Sequence, residues 1–321
     1  MESRNKDRLS FFNANILYMA VMVLFVSAGY IAQKWDFHYG ILITEFLLIA
    51  LPTLIYVKIK GATIKNELRF NSLSVVDALL VIVAFISAYF VAVFINLLGE
   101  ILISMMGKLI VPDIPFATNP TEYMVLLFII AGSAGICEEI LFRGFILRAY
   151  EKLGMWQNII ITALLFSILH LNIQNLLAPF FLGIILGFVV YKTNSIFAGI
   201  LGHFVNNAIS VTWGYVIMNL PFYKNVNIEQ VQDGMTTQSL IGAVILFGLI
   251  LPFAGTIMVI CLKAINDRHL ETPSNRSDKD FFCVVRNIKL SWPLLITLLI
   301  FIGMMTMEVV LIVSGKPLIN L

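Results

Sequence analysis

Apolar residues run in long blocks along this chain, broken by short polar stretches, rather than at the three-and-four spacing of a surface helix. A helix that crosses a bilayer needs roughly 20 consecutive apolar residues, within a range of about 17–25. Runs of that kind fall at about 12–33, 38–57, 73–98, 121–147, 156–172, 175–191, 195–219, 237–262 and 290–314. They predict an all-α membrane protein, a polytopic helical bundle of about nine transmembrane helices. Little more than residues 172–175 separates the fifth run from the sixth, which predicts a tight helical hairpin. The third run continues into residues 100–107, a stretch expected along the membrane interface. Pro52, Pro179 and Pro252 fall inside runs and are expected to kink them, because neighbouring groups in a membrane can satisfy the freed backbone.

Lys and Arg in short loops set the orientation of such a bundle. With the N-terminus inside, the inner segments hold Arg4, Lys6 and Arg8, then Lys58, Lys60, Lys65 and Arg69, then Arg148 and Lys152, then Lys192. The last inner segment holds Lys263, Arg268, Arg276, Lys279, Arg286 and Lys289. The outer segments hold only Lys34, Lys108, Lys224 and Lys316. The alternation holds at every turn and predicts N-terminus inside, C-terminus outside.

Composition agrees with a lipid-covered surface. Of 321 residues 60% are hydrophobic and 12% charged, and the mean hydropathy is +0.93; a soluble domain carries about 25% charged residues. The net charge of +2 says little by itself, and no nucleic-acid partner is expected. Cys137, Cys261 and Cys283 have neither disulfide nor metal spacing. The first apolar run is too long for a signal peptide and is expected to be a retained helix. The chain divides into N-terminal helices and an outer loop at 1–120, a core of four helices at 121–214, and a C-terminal part at 215–321. That last part contains an outer loop, two helices and an inner polar loop at 263–289, within which residues 272–277 read as linker. No internal repeat is present. Many Ile, Asn and Lys residues point to a bacterial cytoplasmic membrane, so a multi-pass cell-membrane location is expected.

Ionisable residues inside apolar runs then stand out, since each costs about 2.5–3.5 kcal/mol at a helix centre. Glu45, Asp77 and Glu308 are expected to snorkel or pair near helix ends. His38 and His269 are expected in solvated loops. The stretch GSAGICEEILFR at 132–143 differs, because Glu138, Glu139 and Arg143 lie more than a turn from its polar end. Glu139 and Arg143 have the favourable acid-first i, i+4 order of an ion pair. Glu138, rotated about 100° from Glu139, faces elsewhere without that partner. On other helices Phe166 and His170 share a face at i, i+4, as do His203 and Asn207. At 1.5 Å rise per residue, Glu138 and His170 lie about 21–23 Å from the same inner turn and Asn207 about 20 Å from its own. These three residues are expected to share one layer, with His203 one turn closer to the inner face.

A carboxylate beside a neutral imidazole can hold and deprotonate water. A second His with an amide side chain can stabilise a developing oxyanion. Together they suggest hydrolysis of an acyl bond, most plausibly a peptide. Other intramembrane designs do not fit. No HExxH is present for zinc, GSAG at 132–135 lacks the GxSG order of a serine nucleophile, and no GxGD occurs. Cys137 points about 100° away from Glu138 and is not read as a nucleophile.

EExxxR at 138–143, FxxxH at 166–170 and HxxxN at 203–207, in this order, resemble the CPBP (Abi) family over about 121–214. That family groups type II CAAX prenyl endopeptidases with bacterial relatives linked to bacteriocin processing and self-immunity. The resemblance implies a CAAX-protease-like glutamic intramembrane endopeptidase, a class often described as metalloproteases. It implies Glu138 as the catalytic glutamate, His170 on the same water, and His203 and Asn207 in the oxyanion hole. Glu139 and Arg143 would support the site and Phe166 would pack beneath it. Two Glu and two His could hold zinc, but oxyanion donors and metal ligands make incompatible demands on His203, so no cofactor is expected. The expected partners are the lipid bilayer and a membrane-embedded protein or peptide substrate. The alternative implied by the bacterial relatives is a non-catalytic immunity or regulatory factor bound to another membrane protein, such as a sensor kinase.

Overall fold

The computed structural model describes residues 10–61, 63–110, 115–221, 236–270 and 292–315. Arg4, Lys6, Arg8, Lys224, Lys316, Cys283 and all of the inner loop beyond residue 270 lie outside the described residues. Helices account for the architecture, and no strand occurs among the described residues. Among the described residues six helices are long and apolar enough to cross a membrane: α1 (Phe11–Trp35), α2 (Phe37–Ile59), α3 (Val75–Ser104), α4 (Pro120–Ala149), α8 (Thr237–Arg268) and α9 (Trp292–Ser314). The chain is therefore an all-α polytopic membrane protein. The expected count of nine spans is not confirmed. Two of the remaining helices, α5 (Met155–Leu169) and α6 (Leu177–Thr193), are shorter apolar helices. In α7 (Ile196–Asn219) His203, Asn206 and Asn207 dilute the apolar run.

Helix starts follow from capping chemistry. Ser10 accepts from the Asn13 amide at α1, and Asp36 ends α1 while accepting from the Tyr39 amide at α2. Ser74, Asn119 and Thr236 cap α3, α4 and α8 in the same way, which satisfies amides that lack an intrahelical partner. Helix α3 continues unbroken to Ser104, so residues 100–104 extend a spanning helix instead of turning along the interface. Pro179 lies in the first turn of α6, where its missing amide costs nothing, and Pro252 lies within α8. Pro52 follows a π-helical stretch, Ile43–Ala50, where the wider winding precedes the proline.

Two further π-helical stretches in α4, Leu127–Ser133 and Ile140–Ile146, bracket a regular α-helical piece, Ala134–Glu139. Such widened turns occur often at functional positions. Helix α4 is the centre of the molecule: 61% of its apolar window is buried inside the protein, against 17–39% in the other five spans. One apolar cluster joins α1, α2, α4 and α5, and a second joins α3, α5, α6 and α8. The hairpin expected between the fifth and sixth runs is present. At its crossing a Cβ on Gly183 would meet the Ala163 Cβ at 2.9 Å, a close approach of small residues typical of membrane helix pairs. Tyr18 on α1 donates to the Leu165 carbonyl at 2.7 Å, and Tyr150 donates to Asn15, so the first helix is tied to the core.

Candidate active site

Helix α4 supplies the acids. Arg143 Nη1 donates to Glu139 Oε1 at 2.6 Å, one turn away, and both side chains are 0% exposed. An ion pair removed from water needs further partners to offset its desolvation. Arg143 Nη2 donates to the Gly183 carbonyl at 3.3 Å, and its guanidinium lies 4.3 Å from the Phe166 ring centroid. Gly199 on α7 makes room for the acid: a Cβ there would fall 2.5 Å from Glu139 Oε2.

The same Glu139 Oε1 receives a second donor. His203 Nδ1 lies 3.0 Å from it, and because a carboxylate accepts, Nδ1 carries the proton. On the other side of that ring, Nε2 lies 3.8 Å from Glu138 Oε2. The order Arg143–Glu139–His203–Glu138 is thus one continuous chain of charge and polarity across α4 and α7. Glu138 differs from its neighbour as the 100° rotation requires: its side chain keeps 13% exposure while Glu139 has none.

His170 sits just past the last helical residue of α5. Its Nδ1 lies 2.9 Å from the Phe166 carbonyl, an acceptor only, which fixes a proton on Nδ1, so that in the neutral ring Nε2 carries the lone pair. Phe166 touches both histidines edge-on, with ring centroids 4.9 Å from His170 and 5.7 Å from His203. Asn207 donates from Nδ2 to the Ile130 carbonyl at 3.1 Å and accepts from Asn206 at 3.0 Å.

Glu138, Phe166, His170, His203 and Asn207 all line one cavity of about 330 Å³. Their relative depth departs from the uniform-rise expectation. His203, not Asn207, is level with Glu138, and Asn207 pairs with Ile130, two turns further along α4. The expectation counted a uniform helix from Lys152, whereas α4 ends at Ala149, a 3-10 turn follows at Glu151–Leu153, and residues 140–146 are π-helical.

Other residues come to the site unannounced. Helix α3 contributes Tyr89, Asn96 and Glu100 to the same cavity, on one face at i, i+7 and i+11. That spacing of polar residues in an apolar helix was the available signal. Glu45 on α2 does not snorkel: it is 6% exposed and close enough to Glu138 for their charges to interact. Asp77 does pair, with Arg268 at 2.8 Å, and His269 joins it at 3.2 Å instead of standing free in solvent. Cys137 and Cys261 are buried free thiols. Among the described residues no three His, Cys, Asp or Glu side chains gather as metal ligands.

The helices define a multi-pass membrane protein whose core buries a Glu–Arg–His system beside a cavity, and comparison with known families is consistent with a membrane protease. Residues 120–209 match the family model described as type II CAAX prenyl endopeptidase Rce1-like. The matched stretch runs from the start of α4 through Asn207 and contains all three motifs, EExxxR, FxxxH and HxxxN. No curated protein and no solved structure gives a significant match to the chain.

Proposed function

We propose that this protein is an intramembrane endopeptidase that hydrolyses a peptide bond of a membrane-associated protein or peptide with water activated by Glu138 and His170. The observation that supports this most is the meeting of Glu138, His170, His203 and Asn207 on one cavity inside a helical bundle. Glu138 and His170 Nε2 each offer an acceptor to a water molecule. As the water oxygen bonds to the substrate carbonyl carbon, its proton passes to the Glu138 carboxylate. The carbonyl oxygen becomes the oxyanion, and Asn207 Nδ2, which has a second N–H beyond the one given to Ile130, donates to it. His203 donates as well only from Nε2, which requires the imidazolium, with the Glu139 carboxylate on Nδ1 as its counter-charge. Collapse of the intermediate breaks the C–N bond, and Glu138 returns the proton to the leaving amine nitrogen. No step is routed through a metal.

The test is cleavage in proteoliposomes. Glu138→Gln and His170→Gln should each lower kcat by about 10²–10⁴-fold while the protein remains inserted. Asn207→Ala should cost about 10²–10³-fold. Wild-type turnover in both Glu138→Gln and His170→Gln would remove the hydrolytic reading.

We propose that the membrane is a bacterial cytoplasmic one, on the many Ile, Asn and Lys residues, and that the N-terminus lies inside, on the alternation of Lys and Arg along the loops.

A further inference from the structure

The segment that carries His170 is the turn between α5 and α6, and a helix far from it in sequence holds it in place. Leu171 adopts a left-handed conformation, with φ 48°, immediately after the histidine. The turn therefore leaves helical geometry at the residue next to the proposed base, and its backbone amides need partners elsewhere. Asn172 Oδ1 takes the Asn175 amide at 2.9 Å, and Glu308 on α9 takes that of Ile173. Its Oε2 accepts from the Ile173 amide at 2.6 Å and its Oε1 accepts from Gln174 Nε2 at 3.1 Å. Gln174 in turn accepts from the Ile110 amide at 2.8 Å, and its carbonyl accepts from Asn96 on α3 at 3.0 Å. Both carboxylate oxygens of Glu308 are thus spent on the short stretch that follows His170 and Leu171.

The surroundings point the same way. A second cavity of about 200 Å³ lies between the turn and α9, and His170 belongs to the walls of both cavities. With open space on two sides, the ring cannot be held by close packing alone. It is held by the Phe166 carbonyl and ring edge behind it and by the pinned backbone ahead of it. Helix α9 is itself docked beside the turn, where the Lys108 amide donates to the Ile312 carbonyl at 3.2 Å.

We propose that Glu308 is a positioning residue for His170: a carboxylate on α9, outside the family-matched stretch, that fixes the turn and thereby the placement of the imidazole. The catalytic consequence rests on the hydrolytic reading given above; the structural link to His170 does not.

The charge pattern at this junction makes the proposal testable by exchange. In Glu308→Gln one oxygen can still accept from Ile173, but the new NH2 group faces the NH2 of Gln174. Converting Gln174→Glu in the same chain restores a donor opposite an acceptor at Glu308→Gln and keeps an oxygen for the Ile110 amide, but it gives up the bond from Gln174 Nε2 to the Ile110 carbonyl at 3.2 Å, so the exchange restores the junction in part. The probe is the imidazole of His170, one of only four histidines in the chain, observed by NMR in full-length, ¹⁵N-histidine-labelled protein in micelles and assigned with His170→Gln. Glu308→Ala and Glu308→Gln should shift or broaden the His170 signals and leave those of His203 in place; the double exchange should return them toward wild type. In parallel, turnover of a quenched, farnesylated CAAX peptide should show kcat reduced about 10- to 100-fold at unchanged KM in the single variants, with recovery in the exchange. Unchanged His170 signals in a folded Glu308→Ala or Glu308→Gln protein would overturn the proposal. So would equal disturbance of His203 and His170, which marks general loosening. Should Glu308→Ala not fold, the Glu308→Gln and exchange pair decide by the same signals. If the wild type cleaves nothing, the hydrolytic reading falters while the histidine signals still decide the role of Glu308.

Discussion

At the scale of single residues, two neighbours in sequence have different chemical lives because a helix rotates by about 100° per residue. Glu139 is spent on structure: Arg143 and His203 share its Oε1, and no water reaches it. Glu138 faces the cavity, with His203 Nε2 at 3.8 Å. The division was legible from the i, i+4 order of Glu139 and Arg143. What no spacing rule revealed is that Glu139 also orients His203, because that contact joins residues 64 apart in the chain. Two predictions belong here. Replacing Arg143 by Ala leaves Glu139 buried without its cation and should destabilise the fold by about 3–5 kcal/mol, read as a lowered thermal midpoint and loss of protein from the membrane fraction. Gly199→Ala should be gentler on the fold and harder on turnover. Its Cβ would fall 2.5 Å from Glu139 Oε2 and 2.8 Å from Val190, pushing the carboxylate from His203. The expected result is a fall in kcat of about 10²-fold with the apolar core intact, checked by comparing turnover with thermal stability.

At the scale of elements, the positions of the helices were readable from apolar run lengths, since lipid requires such runs. The depth of residues along them was not, because it assumed one rise throughout. The π-helical stretches of α4 break that assumption on both sides of Ala134–Glu139, the helix ends at Ala149 short of Lys152, and His203 instead of Asn207 comes within 3.8 Å of Glu138. Nothing in ILFRGFI at 140–146 marks it as wide-turned in advance. Deleting Leu141 should test the contribution of this stretch. It converts Glu139–Arg143 from i, i+4 to i, i+3 and rotates everything before it by about 100° relative to the inner end of α4. Turnover should disappear, while Tyr18, packed on α5, should keep the first helix in place; limited proteolysis of the membrane-inserted protein checks the second half.

At the scale of the molecule, a compact core of α4–α7 carries the motifs and the family match, and other helices complete it. The cavity takes one wall from α3, the turn bearing His170 takes its support from α9, and α1 is hydrogen-bonded into α5. The contributions of α3 and α9 were not foreseen, because Asn96, Glu100 and Glu308 look like isolated polar residues until tertiary contacts give them partners. Orientation belongs to this scale too. Cysteines placed singly at positions 60 and 108, in an otherwise cysteine-free chain, should be labelled by a membrane-impermeant maleimide only from opposite faces, with position 108 reacting in intact cells. Labelling at position 60 from outside would reverse the assignment.

The hydrolytic role of Glu138 is tested most directly by quantitative membrane proteomics of cells making the wild-type protein or Glu138→Ala at equal abundance. The account predicts at least one membrane-associated precursor that accumulates uncut in the variant and whose fragment is present only with the wild type. Identical precursor and fragment profiles in the two, with both proteins folded and inserted, would contradict it.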